Sequence, residues 1–248
     1  MSQERLGVSG AELDDLDLPA VDAFLKRRAP AWLEVMSRDD VAIKVGVAAK
    51  LAPRVVPTLA GLYVFGKSPQ FVFPELGVGC VAFRGRLITD EIRERLDLEG
   101  PLPSLVDGAA RFVASCSGDA ADEEYPLELV REVIVNALVH RDLRKPSRVA
   151  VRVFTDRVEV WSPGGPPEGA PELDDLAREG GVSHPRNPLV AAFARTLGLA
   201  EHVGRGLALL QRAATTAPSG GWRAELRVST RDVSVILPSR WDRRDSLS

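Results

Sequence analysis

From Pro126 to Leu143 the chain reads PLELVREVIVNALVHRDL, and no other stretch constrains the fold as much. Leu129, Val130, Val133, Ile134, Val135, Ala137, Leu138 and Val139 cover most of the circumference of a helix, which must therefore be largely buried. Glu128, Glu132, Asn136 and His140 recur at every fourth position and form one polar ridge along it. A buried helix keeps such a ridge only where solvent, a wet cleft or polar partners lie against it. Two readings stand: a solvent-facing stripe, or one wall of a ligand cleft.

Around this helix the pattern is α+β. Two alternating strands follow it, with Val149, Val151 and Val153, then Val158 and Val160, joined around Thr155-Asp156. Residues 163–188 are rich in Gly and Pro and read as a long loop. Helices are expected over 188–197 and 205–217, and a closing hairpin over 222–228 and 232–237. Upstream, Pro19 opens a helix with Val21, Phe24 and Leu25 on one face, and a second helical region spans about 31–51. Residues 77–84 read as a strand, and Ser104–Ser117 as an amphipathic helix. Phe65, Phe71, Phe73 and Phe83 are expected in the core. The polar stretch 117–124 is the best boundary between units. The expected organisation is a flexible tail over 1–18, a smaller mixed α/β domain over 19–118, a second domain over 119–240 and a tail over 241–248.

At 248 residues, 45% hydrophobic and 27% charged, the chain can bury a proper core, and its net charge of −3 gives no general case for a nucleic-acid or membrane surface. The run Lys26-Arg27-Arg28 reads as a solvated helix end. The two cysteines, Cys80 and Cys116, lie in apolar segments without zinc spacing and read as buried reduced thiols. The N-terminus lacks the apolar core of a signal peptide, and no apolar run reaches membrane-spanning length. A cytoplasmic protein is expected.

Gly61–Ser68, GLYVFGKS, satisfies the phosphate-loop pattern letter for letter. That pattern works because a helix begins at the Gly-Lys step and offers its amides to phosphate. Here the middle residues Leu62, Tyr63, Val64 and Phe65 read as a buried strand, or as a short helix leading into one, and prolines and β-formers crowd the positions after Ser68. A nucleotide site is expected elsewhere.

The ridge, the following Arg141-Asp142 and the strand pair ending in Ser162-Pro163-Gly164-Gly165 resemble the GHKL (Bergerat-type) nucleotide-binding fold, a two-layer α/β sandwich. More closely, YPLELVREVIVNALVHRDL, DRVEVWSPGG, SHPRNPLVAAFARTLGL and EHVGRGLALL resemble the C-terminal ATPase-like domain of the RecG-related family, whose members are described as ATP-dependent helicases or transcriptional regulators. PTLAGLYVFGKSPQ and the Cys80 strand resemble the segment preceding that domain, so the resemblance covers roughly residues 16–238.

The resemblance implies ATP with Mg²⁺ as cofactor. It makes Glu132 the glutamate that activates water and Asn136 the Mg²⁺ ligand, with His140 and Arg141 facing the phosphates; for Arg141 an ion pair with Asp142 is the alternative. Where the family fold carries an Asp followed by glycines for adenine, this chain has Ser162, Gly164 and Gly165, and Ser162 accepts a hydrogen bond more weakly than a carboxylate. Gly204 and Gly206 match the final glycine element, opening a helix toward phosphate. His184 and Arg186 fold over a ligand in this reading.

Three functions compete. The first is a GHKL-type ATP-binding protein, a slow Mg-dependent ATPase in DNA-linked or transcriptional regulation. The second is an interaction or homodimerisation module without nucleotide. The third is a DNA-binding regulator, which the acidic balance disfavours unless a partner or another surface supplies the contact. A helicase motor needs a true phosphate loop and paired motor domains. The chain also begins past the Alba-like domain and stops short of the winged helix that family members often carry.

Overall fold

The computed structural model describes residues 2–117, 125, 127–166, 185–199 and 224–239. Seven α-helices stand among the described residues: α1 (Leu18–Arg28), α2 (Pro30–Leu33), α3 (Arg38–Val45), α4 (Leu59–Phe65), α5 (Leu102–Ser117), α6 (Leu127–His140) and α7 (Pro188–Thr196). A small hairpin, β1 (Ala48–Leu51) and β2 (Arg54–Pro57), stands apart from a six-stranded sheet. That sheet comprises β3 (Val78–Phe83), β4 (Ile92–Leu98), β5 (Val149–Val153), β6 (Arg157–Pro163), β7 (Glu225–Val228) and β8 (Asp232–Pro238), in the order β4-β3-β5-β6-β8-β7. All neighbours are antiparallel except β3 and β5, which run parallel with Cys80 opposite Val151. The fold is α+β, a sheet flanked by helices.

Alternation in sequence becomes a two-faced sheet. Val149, Val151 and Val153 of β5 and Val158 and Val160 of β6 point into the core, while Arg152 and Glu159, opposite each other, lie on the other face. Val78, Cys80 and Ala82 continue the buried row on β3, because the parallel ladder sets them beside the β5 valines. The ladder crosses the 118/119 junction at which the sequence suggests two units, and one apolar cluster contains residues from both sides of it. α5 and α6 pack side by side over this row.

The N-terminal residues differ from the expected flexible tail. Gly7 and Leu16 bridge to Thr58 and Gly66, and Val8, Ala11 and Leu16 are buried. Glu4, only 1% exposed, accepts hydrogen bonds from the backbone amides of Leu189 and Val190 at the start of α7. Its carboxylate thus meets unpaired amides and the positive end of a helix, a partner no local reading supplies. Asp17 then caps α1 by accepting from Ala20. Phe24, Phe65 and Phe193 join α1, α4 and α7, with ring centroids 5.0 to 5.7 Å apart. Phe71, expected in the core, is 88% exposed. The region expected to be helical over 31–51 is split by Ser37 and Gly46 into α2, α3 and β1.

Of the two readings open for GLYVFGKS, a strand or a short helix leading into one, the structure has a helix, α4, running to Phe65 with no strand directly after it. Thr58 caps it, accepting from Gly61 and donating to the Gly46 carbonyl, and every residue from Leu59 to Phe65 is buried. Complete burial outweighs the poor helix propensity of Tyr, Val and Phe. The helix ends where a phosphate loop would begin its own. The Gly66 amide donates to Leu62, and the Lys67 ammonium donates to the Asp14 carbonyl. The Gly-Lys step therefore lies at a carbonyl-rich helix end, the wrong polarity for an anion.

Candidate functional site

α6 is buried along Leu129, Val130, Val133, Ile134, Val135, Leu138 and Val139, and the ridge opposes them. Glu128 is exposed, whereas Glu132, Asn136 and His140 are partly buried. The Asn136 amide donates to a Glu132 carboxylate oxygen at 3.1 Å. That bond leaves Asn136 Oδ1 as an acceptor on the ridge. Burial, with the Arg186 charge nearby, pulls the His140 pKa down from 6.5 to about 4, so the ring is neutral at pH 7.

The end of α6 is held by distant side chains. A helix leaves its last four carbonyls without intrahelical partners. Here Ser162 Oγ donates to Ala137 at 2.8 Å, Tyr63 OH to Leu138 at 3.3 Å, and Asn187 Nδ2 to Val139 at 2.8 Å. Asn187 Nδ2 also reaches the Arg141 carbonyl at 2.8 Å. The expected polar residue Ser162 is thus placed against the ridge helix, with its proton directed at Ala137.

Arg141 corrects the expectation of a phosphate-facing cation. Its side chain is fully buried and donates to the carbonyls of Glu75 at 2.6 Å, Ser147 at 2.9 Å and Lys145 at 3.3 Å. These bonds tie the loop after α6 to the turn before β3. The alternative Arg141–Asp142 ion pair does not form either. Asp142 accepts from Arg144 through its Nε and Nη2, both at 3.0 Å, and lies 3.5 Å from Arg186. The hydrogen bonds from Arg144 hold the Asp142 pKa down at about 2.

Gly164 and Gly165 are required by the protein itself. Gly164 has φ of +99°, and a Cβ there would stand 2.5 Å from the Asp142 Cβ. A Cβ on Gly165 would collide with the Ser229 carbonyl. The turn is clamped, Asp142 N donating to Pro163 and Gly164 N to Arg231, both at 2.7 Å, while Arg186 donates to the Gly165 carbonyl. Gly204, Gly206 and His184 lie outside the described residues. The structure therefore brings Glu132, Asn136 and His140 onto one helix face, with Ser162, Gly164, Gly165 and Arg186 around that helix's end. Asn187 and Tyr63 carry no sign in the sequence of their place at this end. The Asn-Pro step signals a helix start for Asn187, but nothing local reveals that its amide goes to Val139 at the end of α6 and to Arg141 just past it.

Among the described residues no three His, Cys, Asp or Glu side chains form a metal cluster. Cys80 and Cys116 are buried free thiols, and burial pushes Cys80 up to about 12. No helix of the described residues is long and apolar enough to cross a membrane.

Residues 147–237 match the protein family described as "Putative ATP-dependent DNA helicase recG C-terminal". The chain accordingly contains a RecG-related ATPase-like domain. The matched span holds Ser162, Gly164, Gly165, Gly204 and Gly206, while Glu132, Asn136, His140 and Arg141 precede it. Among solved structures, the DIP2311 protein from Corynebacterium diphtheriae is similar in fold, with a TM-score of 0.67 at 21% identity over 96% of this chain. The chain spans 40% of the length of that protein. No curated protein matches it.

Proposed function

We propose that the chain binds an adenine nucleotide along the polar face of α6, as a GHKL-type member of the RecG-related group. The observation that carries this reading is the Glu132–Asn136 pair, a hydrogen-bonded carboxylate and amide on the one polar face of a helix otherwise sunk in the core. The ATPase-like family match over the adjoining strands supports it. The residues fit a magnesium ion carried on phosphates, since Mg²⁺ takes few protein ligands and Asn136 Oδ1 is an available acceptor. The metal would supply charge neutralisation at the phosphates. Glu132 would orient and deprotonate water, neutral His140 would offer a ring nitrogen to a phosphate oxygen or its water, and Gly204 and Gly206 would give backbone amides. Arg141 has no part, its side chain being fully buried with Nη1 and Nη2 committed to carbonyls. Slow hydrolysis in a cytoplasmic, DNA-linked or transcriptional regulator, as a homodimer or with a protein partner, completes the proposal.

Calorimetric titration of Mg-ATP and a non-hydrolysable analogue tests it on wild type and Asn136→Ala. Binding by wild type and its loss in the variant supports the reading; equal heats in both sink it. A second reading rests on Ser162, whose hydroxyl proton goes to Ala137 where a carboxylate would await the adenine amino group. In that reading the domain keeps the fold without nucleotide and acts as a docking module, and wild type gives no heat at millimolar ATP.

A further inference from the structure

Away from the ridge, a cleft of about 440 Å³ opens between α1, α2, α3 and the start of α7. Three cations line it, Arg5, Arg28 and Lys44, and no acidic side chain does. No ion pair among the described residues engages any of them. Lys44 instead lies 5.9 Å from the ring centre of Trp32, at the outer limit of a cation–π contact. Trp32 is 45% exposed beside a floor that includes Val45 and Leu189. Small-ligand sites are lined by apolar and aromatic side chains with a few charged groups, and Trp32 beside the three cations fits that composition.

The α7 amides facing this region are taken, because Glu4 accepts from Leu189 and Val190. An incoming anion must therefore be held by side-chain cations, and the buried Glu4 charge offsets one of the three. The remaining positive charge matches a phosphate, and the Trp32 face matches a planar ring. The volume suits one planar ring system with one phosphate, since small-ligand sites span roughly 300–1,000 Å³.

We infer that this cleft is a second binding site, for a small planar-ring phosphate of mononucleotide size, with Trp32 stacking the ring and Arg5, Arg28 and Lys44 holding the phosphate. It stands independently of the α6 proposal.

The test is a ¹H–¹⁵N titration of the full chain with 1-naphthyl phosphate, following the indole resonance assigned to Trp32 through Trp32→Phe. A saturable shift is expected, weakened at least tenfold in Arg28→Glu/Lys44→Glu and retained in Asn136→Ala. Arg28→Gln, a milder change, should weaken it about threefold. Inorganic phosphate and 1-naphthol alone should each bind at least tenfold more weakly. Absence of a shift overturns the site. So does an equal shift with 1-naphthol, which marks mere apolar adhesion, or unchanged affinity in the charge-reversed protein. Loss of the shift in Asn136→Ala would place the probe on α6 and overturn the second site.

Discussion

Asn187 donates its one side-chain amide to two carbonyls at once, Val139 and Arg141, each at 2.8 Å, and so joins the start of α7 to the end of α6. Both acceptors are buried with it. Asn187→Ala leaves them without a donor and should lower the unfolding free energy by about 2–4 kcal/mol. Urea denaturation of both proteins measures this, and a change below about 0.5 kcal/mol would show the bonds to be dispensable.

Gly164 and Gly198 separate two causes of glycine dependence. Both have positive φ, +99° and +75°, but only Gly164 faces a neighbour, since nothing lies within 4 Å of a Cβ on Gly198. Gly198→Ala should cost about 1 kcal/mol, the left-handed backbone penalty alone. Gly164→Ala should cost more than twice that, because Asp142 must also move. Thermal melts that rank the two the other way would contradict the packing of the turn.

His140 should make the fold acid-sensitive. Its folded pKa of about 4 lies below the ordinary 6.5, so the unfolded chain binds the extra proton first. The stabilisation is complete above pH 6.5 and declines as pH falls toward 4, by at most about 3 kcal/mol. Asp142, held at about 2, adds a second decline below 3.8. In His140→Gln the stability–pH curve should flatten between 6.5 and 4 and keep the lower step. A curve identical to wild type would place the proton elsewhere.

The phosphate-loop pattern yields an opposite pair of outcomes. Lys67 spends its ammonium on an exposed carbonyl, so Lys67→Ala should leave nucleotide affinity within about twofold and stability within about 0.5 kcal/mol. Gly61→Ala, whose Cβ would run into the Val47 carbonyl, should fail to fold or lose several kcal/mol. Nucleotide titration and expression of both variants decide it. A Lys67 variant that loses binding would restore the phosphate loop.

Glu4 can be tested as the anchor of the N-terminal residues. Glu4→Gln keeps an acceptor at α7 but removes the charge, and should cost about 1 kcal/mol, with a smaller difference in high salt. A difference that does not respond to salt would assign the effect to packing.

The periodic segments are legible in the amino-acid pattern itself. β5, β6, α5, α6 and α7 lie within a few residues of their expected spans, because burial of one face needs only the apolar period. The polar face of α6, with Glu132 and Asn136 adjacent, is readable for the same reason. GLYVFGKS leaves strand and short helix both open, since its local preferences favour a strand and only complete enclosure makes it helical to Phe65.

What the sequence determined alone was the α+β pattern, the ridge and the glycine positions, all local or periodic properties. The tertiary structure decided which polar groups are spent and which remain. Arg141 carries the same charge in any context, yet three carbonyls from two loops hold its Nη1 and Nη2 and remove it from the ridge. Nothing in the sequence marks the partners of Glu4 and Asn187, yet each satisfies backbone groups far away in the chain. Buried hydrogen bonds are assigned by proximity across the fold, and spacing along the chain carries no record of it.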